Sequence, residues 1–177
     1  CANLALNQCT NVFARQAAVG AVAGSILVPA MDPTTRTNFG GVSLVGAAIG
    51  EPVPVVTIDS LDLPICHLIK VDVEGMEAEV LRGARSTIET YRPILYVEND
   101  RVEKSEELLT LIQQLGYASY WHLAQLFNPN NFAGDPEDIF PGIVSINVLC
   151  VPAEANMQVG GLRPVTSPRD SWRTPSR

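Results

Sequence analysis

The stretch Leu68-Ile69-Lys70-Val71-Asp72-Val73-Glu74-Gly75, led by His67, decides the fold. Leu68, Ile69, Val71 and Val73 form a short apolar run broken by one lysine, the pattern of a parallel strand covered on both faces. Gly75 then permits a tight exit into a helix. That helix is expected over residues 76–90, where Val80, Leu81, Ala84 and Ile88 share one stripe and Glu77, Glu79, Arg82, Arg85 and Glu89 turn toward water.

Downstream the same grammar repeats. Pro93 stops the helical pattern, and Ile94 to Val97 supply a second apolar run ending in the polar group Glu98-Asn99-Asp100-Arg101. A second helix follows, with Ser105 as expected N-cap, Glu106 and Glu107 in the first turn, Leu108, Leu111, Ile112 and Leu115 inward, and Gly116 as its stop. Residues 117–127 and 143–151 read as two strands separated by a Pro, Asn and Gly-rich loop, an antiparallel pair at the end of the sheet.

Upstream, residues 1–11 read as a short helical piece, and residues 12–28 as one or two buried strands around a turn at Gly20 to Gly24. Residues 32–50 are loop-like, and 53–58 form a short strand. Beyond Pro152 there is no apolar periodicity, and Pro164, Pro168 and Pro175 punctuate the chain. The expected organisation is one α/β domain over residues 1–152 and a disordered tail over 153–177.

At 177 residues and 46% hydrophobic, the chain can bury one substantial core. A formal net charge of −7 argues against nucleic acid or an anionic membrane as partner, since both need clustered Lys and Arg. A small-molecule or saccharide partner fits better. Cys1, Cys9, Cys66 and Cys150 lack metal-site spacing, so reduced thiols and a cytoplasmic location are expected, with no metal set assigned. The uncharged run from Gln16 to Met31 is too short and too broken by Gly and Pro to span a membrane.

Ligands of open parallel sheets bind beyond the carboxyl ends of the strands. Asp72 and Glu74, two apart, project to the same side of an extended strand. They suit substrate positioning, general-base work on a hydroxyl or cation coordination, and equally suit capping of helix N–H groups. Glu98 and Asn99 end the next strand, either as site residues or as loop polarity. Lys70 either reaches an edge or pairs with Asp59 or Asp72. His122, in Tyr120-Trp121-His122-Leu123, is either a general base or a packed ring.

No dinucleotide fingerprint, phosphate loop or nucleophile elbow is present. The segment from His67 to Arg85, with Arg92-Pro93-Ile94-Leu95-Tyr96-Val97-Glu98, nevertheless resembles the signature of the FkbM family of S-adenosylmethionine-dependent methyltransferases. Similarity extends to Asn3–Asn7, Ala17–Gly20, Val56–Leu61, Tyr120–Leu123 and Ser145–Pro152.

The resemblance implies an incomplete class I methyltransferase (Rossmann-like) sheet, mostly parallel with a C-terminal antiparallel hairpin. It also implies methyl transfer from S-adenosylmethionine to a hydroxyl oxygen. By position, Asp72 and Glu74 would be catalytic, with Glu98, Asn99, His122 and Lys70 toward the substrate. The family's glycine-rich cofactor turn and ribose-binding acid would precede Cys1. The chain is therefore expected to be the C-terminal portion of such a domain, holding the cofactor weakly by itself. Two alternatives stand beside this reading: a non-catalytic remnant serving as an interaction module, and a cation-dependent hydrolase or transferase built on Asp72 and Glu74.

Overall fold

The computed structural model describes residues 1–32, 34–35, 41, 49–157 and 159–173. Most of the expected 32–50 loop, and the last four residues of the expected tail, lie outside them. A short helix α1 (Ala2–Leu6) precedes β1 (Ala18–Val19), β2 (Gly24–Val28) and β3 (Glu51–Val56), which form a three-stranded sheet with β3 in the middle. β3 pairs parallel with β1 and antiparallel with β2. The strands expected to be buried here are half-buried, and Gly24 and Ser25 are exposed.

The larger sheet contains β4 (Leu68–Val71), β5 (Ile94–Glu98), β6 (Tyr117–Gln125), β7 (Val144–Pro152) and β8 (Arg163–Pro164), in the order β4-β5-β7-β6-β8. β4 and β5 are parallel, and β7 runs antiparallel to both β5 and β6. The expected C-terminal hairpin is thus present as β6 and β7, but β7 is inserted beside β5. Pairing is mostly antiparallel as a result, with only two of six pairings among the described residues parallel.

The expectation that the Leu68 strand is covered on both faces is corrected. β4 alternates, with Ile69 and Val71 buried while Leu68 is 58% exposed and Lys70 is exposed. β5 and β7 alternate in step, so Leu95, Val97, Val148 and Cys150 join Ile69, Val71 and Trp121 in one core. Helices cover that face. α2 (Glu77–Arg82) and α3 (Arg85–Tyr91) contribute Val80, Leu81 and Ile88, and α4 (Val102–Gln114) contributes Leu108, Leu109 and Ile112.

The single helix expected over 76–90 is therefore two, broken at Gly83-Ala84. The break is a packing requirement. A Cβ on Gly83 would lie 2.1 Å from the Gly20 carbonyl oxygen, so only glycine lets the β1–β2 connection approach. The freed Gly83 carbonyl accepts the Asp59 N–H at 2.9 Å.

The Asp59 carboxylate in turn caps α3. It accepts the Ser86 N–H at 2.9 Å, the Thr87 N–H at 2.8 Å and the Thr87 hydroxyl at 2.7 Å. Partial burial works to raise this carboxyl, and the N–H groups of Thr87 and Ser86 outweigh it, so it titrates below its ordinary value. An N-terminal cap supplied from across the fold has no signature in the helix's own sequence.

α4 starts three residues before Ser105, with Arg101 rather than Ser105 at its N-cap. The expected tail carries structure: β8 pairs Pro164 with Tyr120 and Arg163 with Trp121.

Gly83→Ala is expected to cost roughly 3 kcal/mol or more, because the carbonyl it meets belongs to backbone. Gly160→Ala, with nothing within 4 Å of its Cβ, is the control. Equal urea midpoints for the two variants would contradict this account.

Candidate functional site

The face of the larger sheet opposite the helices carries the chemistry. Lys70 lies beside Tyr96 in register, Glu98 beside Asn147, and Asn147 beside His122. At the carboxyl ends of β4 and β5, one ligand atom from each of Asp72, Glu74 and Glu98 lies within 4.8 Å of the others. Asp72 is exposed and the two glutamates are partly buried.

Glu74 reaches this position through a left-handed backbone, φ +54, followed by Gly75 at φ +97. A glutamate in that region is locally strained, and such strain collects where geometry is held for function. The turn is tied on both sides. The Gly75 N–H donates to Glu77 Oε1 at 2.8 Å, and its carbonyl accepts Lys104 Nζ at 2.5 Å. Glycine at 75 is favoured by that φ rather than by space, since a Cβ there would meet only the flexible tip of Lys104, Nζ at 3.1 Å.

Two of the three carboxylates have cations. Lys70 Nζ lies 2.5 Å from Asp72 Oδ2, and Arg101 Nη2 donates to Glu74 Oε2 at 2.6 Å. Arg101 Nε stands 3.4 Å from Asp100 Oδ1, a charge contact rather than a hydrogen bond. Among the described residues Glu98 has no cation, and its buried Oε2 has no hydrogen-bond partner. Burial first, then the charges of Asp72, Asp100 and Glu74, push its carboxyl from 4.5 up to about 7.

Of the residues singled out in the sequence, the structure brings Lys70, Asp72, Glu74 and Glu98 together. The Lys70–Asp72 pair matches one of the alternatives set out above, whereas Asp59 is committed to α3. His122 stands apart. It is two strand spacings from Glu98, about 10 Å, and its Nδ1 lies 2.8 Å from the Tyr96 hydroxyl. Burial pushes the Tyr96 phenol up against the opposing pull of Lys70.

Asn99 departs furthest from expectation. It is 4% exposed and lines a cavity on the helical side of the sheet, away from Glu98. Arg101 and Asn147 were not singled out. Arg101 is a cation directly after the acidic tip Glu98-Asn99-Asp100, a signal the sequence does contain. Asn147 is an amide on a mostly apolar strand, 5% exposed, whose Nδ2 donates to Ser145 Oγ at 2.8 Å.

The arrangement is therefore an α/β sheet with one carboxyl raised toward neutrality at its carboxyl edge, flanked by two that are paired with cations. A family model, the Methyltransferase FkbM domain, matches residues 1–119, and the chain belongs to that methyltransferase family. The match contains Asp72, Glu74 and Glu98 and ends before most of β6 and all of β7. No curated protein and no solved structure gives a significant match. No helix among the described residues is long and apolar enough to cross a membrane, and all four cysteines are free.

The raised Glu98 carboxyl has a stability consequence. Its folded pKa lies above the unfolded value, so the associated stabilisation is complete below about 4.5 and is lost as pH rises through about 7. Glu98→Gln cannot ionise. After discounting for solvent screening, it is expected to match the parent near about pH 4 and to exceed it by about 1 kcal/mol near about pH 8 in chemical denaturation. A stability difference independent of pH would refute the assignment.

Proposed function

We propose that this chain forms the acceptor side of an S-adenosylmethionine-dependent O-methyltransferase acting on a hydroxyl of a small molecule or saccharide, with Glu98 as general base. The observation that carries the reading is the Glu98 carboxyl near neutrality at the edge of β5, inside the family match. The order β4-β5-β7-β6, with β7 alone reversed among those four, supports the class I arrangement that the resemblance implies.

S-adenosylmethionine supplies, when bound, a methyl carbon on a positively charged sulfur. Of the residues present, Glu98 is the one of the three clustered carboxyls free to face the cationic end of that molecule, because Asp72 and Glu74 are paired with Lys70 and Arg101. The same residues do not provide for its adenosine half. Among the described residues, the one strand-to-helix turn containing glycine is at Gly75, and its N–H and carbonyl are already bonded to Glu77 and Lys104.

Glu98 would accept the proton of the acceptor hydroxyl, and with the cofactor bound the new oxygen–carbon bond would form as the carbon–sulfur bond breaks, the electron pair leaving on sulfur as a neutral thioether. A base near 7 is matched to this work, being ionised often enough and basic enough at neutral pH. Lys70 and Arg101 pair with Asp72 and Glu74, which leaves Glu98 as the carboxyl of the three without a cation among the described residues.

A second reading rests on the same three carboxylates, whose spacing also suits a hard divalent cation. It predicts a rise in melting temperature with magnesium and no response to S-adenosylmethionine.

Radiolabelled methyl transfer to pooled hydroxyl acceptors, measured in the protein that carries these 177 residues, tests the proposal. Glu98→Gln is expected to lower kcat by roughly a hundredfold or more, and the parent rate is expected to fall below about pH 7. Cofactor binding without any methyl transfer would favour the remnant reading. A Glu98→Gln variant at full rate would remove Glu98 as the base.

A further inference from the structure

The loop that joins β6 to β7, residues 126–143, rises from the same edge of the sheet as the acidic cluster. Glu98 pairs with Asn147 and Asn147 with His122, whereas the last pairing before the loop is Gln125 with Val144. The loop therefore starts three residues, about 10 Å, beyond the level of Glu98.

Its backbone is fixed by its own side chains. Asn131 Oδ1 accepts the Asp135 N–H at 3.0 Å, and its Nδ2 donates to the carbonyls of Asn128 and Asp135 at 3.1 and 2.6 Å. Oδ1 of Asp135 and of Asp138 accept the N–H groups of Glu137 and Phe140 at 2.9 and 2.8 Å. At the base, the Ile143 N–H donates to the Phe140 carbonyl at 3.0 Å and the Leu126 N–H to the Ile143 carbonyl at 3.2 Å.

This ordered loop turns large apolar side chains outward. Leu126, Ile139, Phe140 and Ile143 are 42% to 66% exposed, and Phe132 is 109% exposed, more than in an open peptide. The two bonds at the base bring Leu126, Phe140 and Ile143 together, with Ile139 next in sequence. Single exposed apolar residues need no explanation, whereas such a group on one loop marks an interface. Because the loop is already held, ordering it on binding costs little.

We propose that this loop is a docking surface for a basic amphipathic polypeptide, a segment whose apolar stripe is flanked by Lys or Arg. Three observations select that partner. Phe132 stands clear of the surface, so it lines no cavity of its own and suits a socket on a macromolecule, the role of an aromatic anchor. The charges on the loop are Asp135, Glu137 and Asp138, and no Lys or Arg occurs between Lys104 and Arg163, so a basic rim is the complement. The same acidity turns the loop away from anionic lipid and from nucleic acid. Asp72, Glu74 and Glu98 lie outside the loop, and the inference does not rest on the methyl transfer proposed above.

The test is a titration of the 15N-labelled protein that carries these 177 residues with a synthetic helical peptide of Leu and Lys, its leucines forming one stripe. Two control peptides accompany it, one with Glu in place of Lys and one with the same residues in an order that breaks the stripe. Amides of residues 126–143 are expected to shift saturably with the striped basic peptide, and affinity to fall as salt rises from about 50 to about 300 mM. Phe132→Ser is expected to weaken binding about tenfold. Combining Asp135→Asn, Glu137→Gln and Asp138→Asn keeps the Oδ1 acceptors of the loop while removing its charge, and is expected to remove most of the salt dependence. The dispersion of each spectrum reports whether the variant folds. No saturable shift, equal shifts with either control peptide, shifts centred on Asp72, Glu74 and Glu98, or a loop that responds to phosphatidylcholine vesicles in place of the peptide would overturn the proposal.

Discussion

The end of β5 is the constraint on which the rest of the structure depends. β5 is hydrogen-bonded along both edges, parallel to β4 and antiparallel to β7. Its last ordered contact lies beyond the strand proper, where the Asn99 N–H donates to the Ile146 carbonyl at 2.8 Å. A strand held on both edges cannot slip by one residue without exchanging its faces. Val97 is therefore committed to the core, Glu98 to the acidic cluster and Asn99 to the cavity behind it. Three consecutive residues acquire three separate roles from one register.

Electrostatics then decides which of the clustered carboxyls holds a proton. Three acidic groups within 4.8 Å cannot all ionise cheaply, and Lys70 and Arg101 each pair with one of the other two carboxylates. Lys70 stands over Asp72 and Arg101 over Glu74, both in partly exposed pairs that add little stability. Glu98 is left with burial and repulsion and no counter-charge. The same imbalance that costs stability above neutrality is what a proton acceptor needs, consistent with perturbed titration gathering where chemistry is done.

Much of this was legible in the sequence, because the informative signals were local. The apolar runs at Ile69 to Val73 and Ile94 to Val97, and the inward stripe of α4, follow from spacing alone. What spacing could not show was set across the fold. A four-residue strand with one lysine reads alike whether one face or two is covered, and the exposure of Leu68 follows from helices packing on one side only. The break at Gly83 comes from the carbonyl of Gly20, more than sixty residues earlier in sequence. Glu98 and Asn99 looked like one polar tip, and only the pairing of β5 with β7 separates them.

The segment beyond Pro152 shows how a stretch without apolar periodicity can still be ordered. Its anchor is electrostatic and almost buried: Arg163 and Asp170 have side chains 18% and 3% exposed. Burial alone would raise the Asp170 carboxyl, but the Thr166 N–H and the Arg163 guanidinium outweigh it and hold the group below its ordinary value. Breaking one partner of such a pair strands a buried charge, so the segment is held closed by the cost of opening it as much as by attraction. Because the guanidinium also lies 5.9 Å from the Trp121 ring centroid, that cost falls on a residue of the sheet core. The segment is thereby coupled to β6, and through β7 to the Ile146 carbonyl that fixes the end of β5.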